Sequence, residues 1–199
     1  MMDARFVAAA LLAGATVGGS ILPQRRPGPP HDAVLAEFAV RVQYYMDVRD
    51  LAAATVPAQT VTPHPAEIRR ISDALAVAIR TVRVDARQGD IFTPRIAMAF
   101  RAAIGSGCHD EYTELLAIFS EELTSPLPAP VVHGRWPMGV PVPTMPPDLL
   151  AALPRLPPGL QYRFVNRDLV LIDIDANLIV DFVPEAIPVL TSAAARRRP

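Results

Sequence analysis

The chain has 199 residues, and its 19 basic and 20 acidic side chains leave a net charge of −1 at pH 7. That balance excludes the general electrostatic attraction on which nucleic-acid binders rely. A hydrophobic content of 51% with a single cysteine implies a core held by packing, because one thiol cannot form an intrachain disulfide.

Residues 1–23 read as a secretory signal. Arg5 precedes the apolar run FVAAALLAGATV and the small residues Gly18, Gly19 and Ser20, the order expected of an export segment. The run falls short of the roughly 20 apolar residues that span a bilayer. Localisation is therefore expected to be periplasmic or secreted. Residues 24–30 (QRRPGPP) have a linker's composition and no apolar face to bury.

A helical pattern opens at His31-Asp32, with Leu35, Phe38, Val42, Tyr45 and Met46 recurring at helix spacing to about Ala54. Pro57 to Pro65 ends it. A second helix places Ile68, Ile71, Leu75, Ile79 and Val82 on one face and Arg69, Arg70, Asp73 and Arg80 off it. Thr93-Pro94, a capping residue before a proline at the first helical position, starts a third helix through Ile96, Phe100 and Ile104, stopped at Gly105-Ser106-Gly107. Asp110 caps a fourth, with Leu115, Leu116, Phe119 and Leu123 inside and Glu111 and Glu114 near its positive end.

From Pro126 to Pro158 the chain holds half of its 22 prolines and one short helical candidate, Pro147 to Leu153. This reads as a stiff strap lying against the helical layer through Trp136, Met138, Val140 and Val142, and long connections of this kind often carry function. Leu160 to Val183 then reads as three strands, rich in aromatic and β-branched residues. Turns at Asn166-Arg167-Asp168 and Asp175-Ala176-Asn177 separate them, where Asn and Asp tolerate the left-handed conformation. Pro184 and Pro188 remove the donors a longer third strand would need.

The chemical candidates are few. Asp173, Asp175 and Asp181 offer clustered carboxylates for a hard cation or acid–base work; the alternative is a solvated face of an antiparallel sheet. Cys108-His109-Asp110-Glu111 combines soft and borderline ligand types, yet adjacent residues chelate one ion poorly, and helix capping accounts for Asp110. His31, His64 and His133 are scattered through proline-rich loops, where each is expected to meet solvent. No G-x-S-x-G elbow, phosphate-binding loop, H-E-x-x-H or dinucleotide fingerprint is present, so no cofactor is indicated.

The blocks RQGDIFTPRIAMAFRAAI (Arg87 to Ile104) and PPDLLAALPRLPPGLQYRFVNRDLVLIDIDANLIVDFVPEAIP (Pro146 to Pro188) resemble a group of small exported proteins of GC-rich soil bacteria such as acidobacteria. That group has no assigned activity, so the resemblance implies export and carries no catalytic residue over. The LPPGLQYR…DLVLID…IVD ending is also faintly similar to hairpins of periplasmic proteins that include a nickel and cobalt homeostasis family.

The sequence thus predicts an α+β fold. About four helices over 31–124, a proline-rich strap over 125–158 and an antiparallel meander over 160–183 form one domain within 31–190, with 191–199 a frayed tail. The functional expectation favours a non-enzymatic cell-envelope module over an enzyme. It would bind an envelope protein or small ligand through the strap at Trp136 and Met138 and an exposed strand edge. The alternative is a small exported metal-handling protein or hydrolase built on the three aspartates.

Overall fold

A computed structural model describes residues 31–57, 64–107, 127–136, 145 and 147–187. Helix α1 runs His31–Ala53, α2 Pro65–Val82, α3 Pro94–Gly107 and the single-turn α4 Pro147–Ala151. Strands β1 (Leu160–Val165), β2 (Asp168–Asp173) and β3 (Leu178–Val183) follow. They form an antiparallel sheet of order β1-β2-β3, so the fold is α+β. The expected fourth helix, with Cys108, His109, Asp110 and Glu111, lies outside the described residues, as do residues 1–23, the 24–30 linker, Met138 and the 191–199 tail.

Local chemistry sets the element boundaries. The Thr93 hydroxyl accepts the N–H of Ile96 at 3.4 Å while Pro94 occupies the first helical position, where its missing donor costs nothing. Gly105, Ser106 and Gly107 form the last residues of α3, whose described span ends at Gly107 as the sequence predicts. In α2 the inward face is shorter than its spacing suggests: Ile71, Leu75, Ala76 and Ile79 are buried, but Ile68 and Val82, near the two ends of the helix, are exposed. Asn166 and Asn177 adopt the left-handed conformation, φ 53° and 49°, in the two hairpin turns, and β3 ends immediately before Pro184.

One apolar cluster joins the helices to one face of the sheet. Phe38 of α1, Phe92 of the α2–α3 loop and Phe100 of α3 pack ring to ring with centroid separations of 4.9–5.7 Å, Phe38 and Phe92 stacked and Phe100 tilted or edge-on to them, and Phe100 meets Tyr162 of β1 at 6.0 Å. From the sheet come Leu160, Phe164, Leu169, Leu171, Leu178 and Val180; Met145, Leu149 and Leu153 join from around α4. These side chains alternate along each strand, as a half-buried sheet requires.

The opposite face is also covered. Val165, Val170, Ile172 and Ile179 pack with Leu127, Trp136 and Phe182 in a second cluster. Trp136 therefore lies across the sheet from the helices, correcting the expectation that this part of the strap rests on the helical layer. The reason is backbone pairing along β3. His133 N–H donates to Ile179 O at 2.8 Å, Ile179 N–H to Gly134 O at 2.8 Å and Trp136 N–H to Asn177 O at 3.4 Å. Among the described residues no helix is long and apolar enough to cross a membrane.

A bulge in β3 positions a key side chain. Leu171 pairs with Asp181 but Ile172 pairs with Ile179, so Val180 is an extra residue. Strict alternation after Leu178 and Val180 would send Asp181 to the strap side. The extra residue turns both Val180 and Asp181 toward the helices.

Candidate functional site

The three aspartates singled out by the sequence do not converge on one point. Asp173 and Asp181 are fully buried polar side chains on the helix-facing side of the sheet, and each is surrounded by its own donors. A solvated sheet face is therefore ruled out for both.

Asp173 closes the base of the β2–β3 turn. Its Oδ1 accepts the N–H groups of Asp175 and Ala176 at 3.1 and 2.9 Å, the side-chain-to-backbone turn typical of aspartate. Its Oδ2 accepts the Tyr45 hydroxyl at 2.8 Å and Arg49 Nε at 2.7 Å, both from α1. Arg49 Nη2 continues to Asp175 Oδ2 at 2.5 Å, so one guanidinium clamps two carboxylates. Gly159 makes room for it: at φ +88°, a Cβ there would meet Asp175 Oδ2 at 3.2 Å and Arg49 Nη2 at 3.4 Å.

The electrostatics follow from this packing. Burial, reinforced by the Asp173 carboxylate, holds the Tyr45 phenol far above its ordinary range. Burial alone would lower Arg49, but Asp173 and then Asp175 outweigh it and keep the guanidinium above its usual value. Arg83 lies over the Tyr45 ring, 5.0 Å from its centroid, a cation–π contact. Tyr45 is thereby held as a neutral hydroxyl that donates to Asp173.

Asp181 anchors the loop between α2 and α3. Its Oδ1 accepts Gly89 N–H at 2.9 Å and Phe182 N–H at 2.8 Å; its Oδ2 accepts Ile91 N–H at 2.7 Å and Phe92 N–H at 2.8 Å. Gly89, at φ +94°, supplies the left-handed turn that aims these groups inward. Burial pushes the Asp181 carboxyl above the ordinary range, and the four N–H groups pull it back down. With four donors in place, no oxygen is left to reach a ligand.

Among the described residues, no group of three or more His, Cys, Asp or Glu side chains is placed to hold a metal ion. His64 sits at the N-terminus of α2 and is exposed; the His31 side chain lies outside the description. His133 departs from expectation: it is half-buried, in the left-handed conformation at φ 66°, because its backbone is tied to β3.

What sequence reasoning missed is the set of groups that meet the aspartates and the clefts around the sheet. Tyr45 and Arg49 lie 128 and 124 positions from Asp173, and no local pattern signals such a pairing. A cleft of about 480 Å³ runs beside β1, lined by Met145, Leu150, Pro154, Leu156 and Tyr162 with Arg155 and Arg163 at its margin. A second, of about 500 Å³, lies between α1 and the loop after α2, with Tyr44, Arg83 and Asp90 on its walls.

No protein-family model matches the chain, and neither a curated protein nor a solved structure shows significant similarity to it. The functional reading therefore rests on the site's own geometry.

Proposed function

We propose that this protein is a non-enzymatic, exported binding module that takes an extended peptide segment of a cell-envelope partner along the outer edge of β1. The observation that carries the reading is the asymmetry of the two sheet edges. On β3 the segment 131–136 occupies the edge, and Arg135 forms a bridge with Leu178. On β1 no described strand lies beyond the edge.

The backbone register defines what that edge offers. Ile174 N–H donates to Gly159 O at 2.9 Å, which makes 159 and 174 a hydrogen-bonded pair. By antiparallel alternation, the N–H and C=O of Tyr162 point away from β2. An edge of this kind is a template for strand addition. The cleft beside it supplies apolar walls, and among its described lining residues two are arginine and none is acidic. The fitting partner is an extended segment alternating apolar and acidic side chains. The carboxylate alternative has less support, because the donors around Asp173 and Asp181 leave no open coordination position.

A panel of short peptides alternating valine and glutamate, titrated while the 160–164 backbone amides are followed by NMR, tests the binding reading. Shifts should concentrate at Tyr162, and the Arg155→Glu/Arg163→Glu double variant should lose about tenfold or more in affinity with its melting curve unchanged. Equal affinity in the variant, or no binding across the panel, would overturn the proposal. Export rests on the apolar run at residues 6–17. N-terminal sequencing of the protein from an expressing bacterium should find a start near residue 24, and an intact Met1 in the cytoplasm would refute that part.

A further inference from the structure

We propose that segment 131–136 is an acid-released latch on the outer edge of β3, with His133 as its trigger: the neutral imidazole lets the segment stay paired, and protonation frees it. This inference is independent of the β1 reading, since it concerns the opposite edge of the sheet and different residues.

The latch is built around one residue in a costly conformation. His133 holds φ 66°, a left-handed geometry that a non-glycine residue keeps only when its surroundings impose it. Two restraints do so. Its N–H donates to Ile179 O at 2.8 Å, and its carbonyl accepts Arg80 Nε and Nη2 at 3.1 and 2.8 Å. The segment's neighbouring ties are the Ile179 and Trp136 backbone bonds and the ion pair of Arg135 with Asp73 of α2.

One nitrogen of the imidazole has no such support: Nε2 is buried without a hydrogen-bond partner. Neutral imidazole can present that nitrogen as an acceptor at modest cost, but protonation would create a charged N–H there with nothing to receive it. The charges facing it make the burden heavier. Arg83 and Arg80 from the end of α2 both oppose a positive imidazole, and Asp90 from the following loop favours it only partly, being shared with Arg83 and Arg87. Burial first, then Arg83 and Arg80, hold His133 below the ordinary imidazole value of 6.5.

The direction of the pH effect follows. Once the segment is released, His133 titrates near 6.5, while the latched form resists the proton to a lower pH. The latch is therefore fully stable above about pH 6.5 and loses stability as pH falls from there to the latched His133 midpoint. Asp181, raised in the fold, gives the opposite slope, because its contribution falls as pH rises through the carboxylate range. Loss of the latch as pH falls therefore cannot come from Asp181, and the His133→Asn variant separates His133 from the Arg135–Asp73 pair. It would uncover the backbone edge of β3 and the apolar surface of Ile179, Phe182 and Trp136, giving the sheet a second edge for strand addition.

Trp136 is the chain's one tryptophan, so its fluorescence reports the latch without interference. On the 199-residue chain taken from pH 8 to pH 4.5, Trp136 emission should shift to the red. The protection factor of the Ile179 amide, its exchange rate taken relative to the base-catalysed intrinsic rate at the same pH, should fall by roughly tenfold for each pH unit by which the His133 midpoint lies below 6.5. Helical circular dichroism should stay constant over the same range. His133→Asn keeps a residue that tolerates the left-handed conformation and cannot take up a proton, so both changes should vanish. An NMR titration of the His133 ring in the unaltered chain supplies a second test that needs no variant, because its midpoint must coincide with the loss of Ile179 protection. The proposal is overturned by a flat Ile179 response in the unaltered chain, by the same transition in His133→Asn, or by a ring midpoint at or above 6.5.

Discussion

Asp181→Asn should lower folding stability by about 3 kcal/mol, as measured by urea denaturation at pH 7. The size of the effect comes from symmetry in the site. Two backbone N–H groups face each carboxylate oxygen, Gly89 and Phe182 on one and Ile91 and Phe92 on the other, at 2.7–2.9 Å. An asparagine has one acceptor oxygen, so in either orientation its amide nitrogen is pressed against two donors in a fully buried position. The loop from Gly89 to Phe92, which opens into α3 and contributes Phe92 to the aromatic cluster, should lose amide protection first. A loss below about 1 kcal/mol, or one spread evenly over the chain by hydrogen exchange, would refute this account.

Arg49→Met should cost about 3 kcal/mol in the same assay. Methionine preserves much of the arginine stem, so the loss isolates the guanidinium that clamps Asp173 and Asp175. The residual partners of Asp173, the Tyr45 hydroxyl and two turn N–H groups, keep the cost near the lower end of what an orphaned buried charge produces. The Arg41–Glu37 pair at 3.2 Å gives the contrast. Its side chains are 39% and 29% exposed, and breaking it should change stability by less than about 1 kcal/mol. A double-mutant cycle decides the mechanism. If Arg49 acts by neutralising Asp173, Asp173→Asn should cost less in the Arg49→Met background, with a coupling of about 1–3 kcal/mol. Additive losses would show that the guanidinium acts independently of the Asp173 charge, through its pairs with Asp175 and Asp50.

Much of this architecture was legible in the residues because it is written in short-range chemistry. The spacing of Phe38, Val42 and Tyr45, the Thr93-Pro94 start and the two asparagine turns place helices and strands by rules that reach only a few positions along the chain. The site was legible only as a set of candidates. Asp173 and Asp181 drew notice as clustered carboxylates, but their surroundings depend on an inserted residue in β3 and on partners more than 80 positions away. The same holds for His133, which a proline-rich context marks as a solvent-exposed loop residue.

By itself the sequence determined the α+β class, the order of the described elements, the two hairpin turns and the absence of an intrachain disulfide, because periodicity, capping and composition act locally. Tertiary structure alone decided that Asp173 and Asp181 hold α1 and the Gly89–Phe92 loop to the sheet, that the strap closes one sheet edge, and that no described strand closes the other. Those outcomes depend on which distant donors reach a buried oxygen or an open backbone edge. Such pairings are fixed by packing in three dimensions, and spacing along the chain does not encode them.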